Sequence, residues 1–79
     1  ITRLEHEIDR RKVNFDIGVS EEVDLDYFDE SDPKWKTLCH DCTSYNKAKS
    51  FRQGTYNLII RATDKASNSD LEEVSFTII

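Results

Sequence analysis

The chain has 79 residues, of which 37% are hydrophobic and 34% charged, and its 16 acids against 11 bases leave a net charge of −5. At this length folding hides only roughly 60% of the surface the unfolded chain exposes, so the core is thin, one domain spanning 1–79 is expected, and a multidomain enzyme is excluded. A sequence pI of about 4.9 argues against nucleic acid as a partner, and no apolar run reaches the roughly 20 residues of a membrane-spanning helix, so no membrane insertion by this segment is expected.

Leu4, His6 and Ile8 alternate as a first strand would, although Ile1, Leu4 and Ile8 also fall at helical spacing. Val13, Phe15, Ile17 and Val19 then alternate with polar residues and glycine, the period of a strand with one buried face. Val23, Leu25 and Tyr27 continue the pattern, and the pair Glu21-Glu22 reads as a turn between two strands. Asp32-Pro33 breaks the chain ahead of two short segments, Trp35 to Cys39 and Ala48 to Phe51, each long enough for a minor strand. Thr55 to Thr63 and Leu71 to Ile79 alternate again, joined by the polar hairpin segment Asp64 to Asp70. Six or seven short strands at such spacing predict an all-β fold, an antiparallel sandwich of about seven strands. Its core should be Val13, Phe15, Ile17, Leu25, Leu58, Ile60, Val74, Phe76 and Ile78.

Charge is unevenly placed. Residues 1–33 hold 11 acids and 4 bases, a balance of −7, whereas 34–79 hold 5 acids and 7 bases, a balance of +2. The acidic half reads either as a solvated surface or as one side of an electrostatic match between neighbouring copies or domains. The chain opens on Ile1, contains no methionine and closes in an apolar run, so it reads as a segment of something longer.

Cys39-His40-Asp41-Cys42 is the most chemically suggestive motif, and three readings of it are open. A local disulfide fits an exported protein in an oxidising compartment. A zinc site needs four ligands, so Cys39 and Cys42 would have to recruit His40, His6 or a neighbouring chain. A thiol-redox centre would need the motif at the start of a helix. Trp35, Leu38 and Tyr45 flank the motif and are expected to pack its loop onto an open end of the sandwich, with an aromatic binding patch as the alternative. Asp24, Asp26, Asp29, Glu30 and Asp32 offer hard oxygens for calcium, but they lack the glycine and closing glutamate of an EF-hand loop. No Ser/His/Asp set, glycine-rich phosphate loop or paired-histidine zinc motif is present, so no catalytic residue and no cofactor beyond calcium or zinc is assigned.

The stretch from Phe51 to Asn68 resembles the closing part of the immunoglobulin-like domains repeated in prokaryotic surface proteins, which are related in shape to fibronectin type III and cadherin domains. Gly54, Tyr56, Ala62, Asp64, Ala66 and Asn68 match that pattern, and Ser67 stands where the family has glycine. The resemblance implies an Ig-like domain with a sharp turn at Gly54, a tyrosine corner at Tyr56, and a hairpin shaped by Asp64 and Asn68. It implies a non-enzymatic, extracellular structural module of an S-layer, stalk or filament whose partners are neighbouring domains or copies of itself. The rivals are an adhesion or ligand-binding module, calcium-dependent in one version, and a thiol-redox or zinc domain. The apolar end at Ile78 and Ile79 also predicts assembly by strand addition.

Overall fold

Every regular element in the computed structural model, which describes residues 1–79, is a β-strand. The order is β1 (Arg3–Asp9), β2 (Lys12–Asp29), β3 (Asp32–Ser50), β4 (Gly54–Thr63) and β5 (Ser69–Ile78). All pairings are antiparallel and belong to a single sheet, which curls into a half-barrel. The all-β antiparallel expectation therefore stands, but there are five strands where the sequence predicts about seven.

Two mergers account for the difference. Glu21-Glu22 is no turn: β2 runs straight through it, and the pairing with β3 jumps from Gly18↔Ser44 to Val23↔Cys42. Three more residues are used on β2 than on β3 at that step, so the strand bends without ending and its odd positions stay on the concave face. Likewise the segments at Trp35 to Cys39 and Ala48 to Phe51 belong largely to one strand, β3, which follows β2 around the same bend. The bend lets one edge of β2 serve two partners in turn. Leu4 to Asp9 pair with Lys12 to Ile17, and Leu58 to Thr63 pair with Asp24 to Asp29.

Curling brings the two ends of β2 around a shared interior of twelve buried apolar residues. All nine core positions expected from alternation are buried there, with Val23, Tyr45 and Ala62 added. Burial of such side chains stabilises by about 1.5–3 kcal/mol each. At one end of this interior Phe76 lies 5.4 Å from Tyr56, 5.0 Å from Phe51 and 6.2 Å from Phe15, an aromatic cluster that joins β5 to the far half of β2. Gly18 pairs with Arg3 at the start of β1, and an added Cβ there would lie 3.1 Å from Thr2 Oγ1 and 3.4 Å from Arg3 Cβ.

Candidate functional site

The cysteine motif occupies a bulge in β3. Leu25 pairs with Cys39 and Val23 with Cys42, so His40 and Asp41 have only Asp24 opposite them and are pushed out of the ladder. Asp41 takes a left-handed backbone angle, φ 50°, which aspartate tolerates. Cys39 and Cys42 form a disulfide across the base of the bulge, and no free cysteine remains. This removes both thiolates from any zinc set. The pair also sits in a strand rather than at a helix start, the setting a redox centre calls for.

Asp24 organises the bulge from the neighbouring strand. Its Oδ1 accepts the Asp41 amide at 3.0 Å and lies 2.7 Å from His40 Nδ1, while His40 Nε2 is 3.6 Å from Asp41 Oδ2. Asp24, His40 and Asp41 thus hold three donor groups within 4.8 Å of one another, a set with the chemistry to take a divalent cation. A cation there would have to displace the imidazole and amide that Asp24 already serves.

The remaining acids proposed for calcium are not gathered with Asp24. Asp26 Oδ2 accepts from Arg61 Nη2 at 3.1 Å. Asp29 is buried and accepts both the Ser31 amide and hydroxyl, at 3.0 and 2.9 Å, which shapes the β2–β3 turn. Glu30 accepts from Asn57 Nδ2 at 3.2 Å, and Asp32 accepts from Lys36 Nζ at 2.8 Å. That last hydrogen bond holds the Asp32 carboxyl below its ordinary pKa and raises the Lys36 ammonium. Each of these carboxylates has its own partner.

Gly54 and Tyr56 lie at the entry to β4, and Asp64 and Asn68 at the tip of the β4–β5 hairpin. Gly54 has φ 150°, an angle side chains rarely allow, as the chain enters β4. Tyr56 donates its hydroxyl to the Arg52 carbonyl at 2.8 Å, which ties the strand to the chain four residues upstream. Asp64 Oδ1 accepts the Ala66 and Asn68 amides at 3.0 and 2.8 Å, and Oδ2 accepts from Asn68 Nδ2 at 3.3 Å. These bonds, led by the Asn68 amide, hold the Asp64 carboxyl below its ordinary value. Ser67 has φ 65°, so it stands in a left-handed conformation where glycine carries no steric cost.

Trp35, Leu38 and Tyr45, expected to pack the cysteine loop onto an open end of a sandwich, do not stay together: Trp35 is parted from the other two. Tyr45 is buried in the main core with Leu38 packed against it, and burial raises the Tyr45 phenol pKa. Trp35 lies on the convex face, 41% exposed, with its ring 5.4 Å from Phe28 and 3.9 Å from the Arg61 guanidinium. Arg61 was legible as an outward position in the alternation of β4. Its partnership with Trp35 was not, because the two are brought together only by strand pairing through β2. A scan against protein-family models, a search of curated proteins and a search of solved structures each return no match for this chain.

Proposed function

We propose that the chain is a non-catalytic structural module of an extracellular surface protein, an S-layer, stalk or filament, that packs against neighbouring domains or copies. In this reading it is an Ig-like domain, and the curled sheet is a pared-down sandwich in which two bent strands do the work of four. The observation that carries the reading is the bond from Tyr56 to the Arg52 carbonyl, the geometry of a tyrosine corner, in the stretch that resembles surface-protein repeats. The Asp64–Asn68 hairpin and the left-handed Ser67 at the family's glycine position support it further. The Cys39–Cys42 disulfide suits an oxidising compartment.

Labelling of the cells that make the protein tests this. A membrane-impermeant amine reagent should modify its lysines on intact cells, and Cys39 and Cys42 should resist alkylation until a reductant is added. Lysines that label only after lysis, with both cysteines free to alkylate, would overturn the proposal.

The second reading, an adhesion or ligand-binding module, draws on the convex face. There Trp35 is stacked with Arg61, and Leu71 is 57% exposed on β5 in register with Arg61. Its calcium-dependent version has Asp24, Asp26, Asp29, Glu30 and Asp32 engaged separately.

A further inference from the structure

Three strands have one unpaired edge each, β1, β3 and β5, and β3 and β5 are the longer two. The exposed backbone groups of β3 and β5 can be assigned from the hydrogen bonds nearby. The Ser67 amide donates to the Asp64 carbonyl at 3.0 Å, and the Asp64 amide to the Asn68 carbonyl at 2.9 Å, which closes a three-residue loop. Alternation from that closing pair turns the even positions of β5 towards β4 and leaves the amides and carbonyls of Leu71, Glu73 and Ser75 on the free edge. On the other side, the Thr2 amide donates to the Gly18 carbonyl and the Phe51 amide to the Arg11 carbonyl, both at 2.8 Å. Even positions of β2 therefore face β1 and odd ones face β3, which leaves Ser44, Asn46 and Ala48 with free backbone groups on the outer edge of β3.

The two edges match in direction and charge. β3 is antiparallel to β2, β2 to β4, and β4 to β5, so β5 of one copy meets β3 of the next in the antiparallel sense, with concave faces on the same side. The arm of β3 from Ser44 to Ser50 pairs with β2 in unbroken register, so its outer edge is regular. Lys47 and Lys49 pair with Phe15 and Val13 and so lie on the concave side, where the Lys49 ammonium is 5.4 Å from the Tyr27 ring. Asp70 and Glu72 share the concave side of β5 with Val74; the Asp70 carboxylate also accepts from the Ile1 ammonium at 2.6 Å, so Glu72 is the acid with no ion-pair partner within the chain.

We propose that β5 of one copy adds to the C-terminal arm of β3 of a second copy, with Leu71 opposite Ala48, Glu73 opposite Asn46 and Ser75 opposite Ser44. This single register sets Asp70 against Lys49, Glu72 against Lys47 and Val74 against Tyr45 on the concave side. Each copy keeps one edge of each kind, so the contact is heterologous and propagates into an open filament. Two β5 edges joined to each other would bring no opposite charges together, and two β3 edges would bring lysine near lysine. The inference rests on the reading of the chain as a module that packs against its own copies, and it names the surface.

Sedimentation of the purified chain over rising concentration tests it. The mass should keep growing with concentration, and added salt should weaken the assembly. Lys47→Glu with Lys49→Glu should raise the concentration needed for assembly by about tenfold, and so should Asp70→Lys with Glu72→Lys. The chain carrying all four changes should assemble as the parent does. All these side chains are on strand edges, and circular dichroism checks that each variant folds. A parent that stays monomeric, a dimer that stops growing, or charge variants that assemble unchanged would each overturn the inference. None of those results would touch the extracellular reading, which the labelling experiment decides alone.

Discussion

The β4–β5 hairpin and the β2–β3 ribbon are both antiparallel pairs of one sheet, yet they behave differently. From Gly54↔Ile78 to Thr63↔Ser69 the hairpin keeps one register throughout, and its inward residues supply half of the twelve-residue core. The ribbon shifts register four times, and its irregularities bend the sheet and push His40 and Asp41 out beside Asp24. A regular ladder concentrates stability, while an interrupted one shapes the surface. The tips differ in the same way: Asp64 holds the hairpin by hydrogen bonds, whereas the bulge of β3 is held by a covalent bond.

The sharpest way to break this contrast is to empty the hairpin's side of the core. Phe76→Ala removes a ring packed among Phe15, Phe51 and Tyr56 and should cost about 3–5 kcal/mol. A domain of this size has roughly 4–12 kcal/mol in total, so the variant should lose a large share of it, read as a much lower urea midpoint. Trp35→Ala, on the ribbon's half-exposed convex side, should cost far less. Equal losses at the two sites would show that stability is not concentrated in the hairpin.

Next in size is the covalent tie. Replacing Cys39 and Cys42 together with alanine releases a four-residue loop, for which the chain-entropy relation gives about 2 kcal/mol. Hydrogen exchange should quicken first at Leu38 to Thr43, with β4 and β5 following only the global loss. A variant as stable as the parent would mean that the Asp24 contacts alone support the bulge.

The hairpin was legible because its information is local. Tyr56, Leu58, Ile60 and Ala62 alternate without interruption, and Asp64 and Asn68 sit within one turn of each other. The nine expected core positions were readable for the same reason, since side-chain phase survives even the bend at Glu21-Glu22. The bend itself was not readable: two glutamates between apolar runs look the same whether the chain turns back or continues with extra residues on one strand. The bulge was half legible. The cysteine spacing allowed a disulfide, but Asp24 joins His40 only because β2 and β3 pair, and pairing register is not written in either segment alone.

The smallest effect expected is at the hairpin tip, where a local rule is broken. Ser67 stands at φ 65°, a conformation that costs an L-residue roughly 1–2 kcal/mol relative to glycine. Glycine in its place gives back about 0.4–1 kcal/mol through the freer unfolded chain. Ser67→Gly should therefore stabilise the protein by about 0.5–1 kcal/mol, read as a higher urea midpoint at unchanged slope. Asp41, at φ 50° in the disulfide-closed bulge, is the control, because aspartate already tolerates that region and the covalent bond fixes the backbone around it. Asp41→Gly should lose the 3.6 Å contact with His40 and gain nothing in return. If both glycine variants are stabilised alike, strain rather than the manner of closure governs the two tips; if only Ser67→Gly is, the hydrogen-bonded tip carries strain that the covalent one does not.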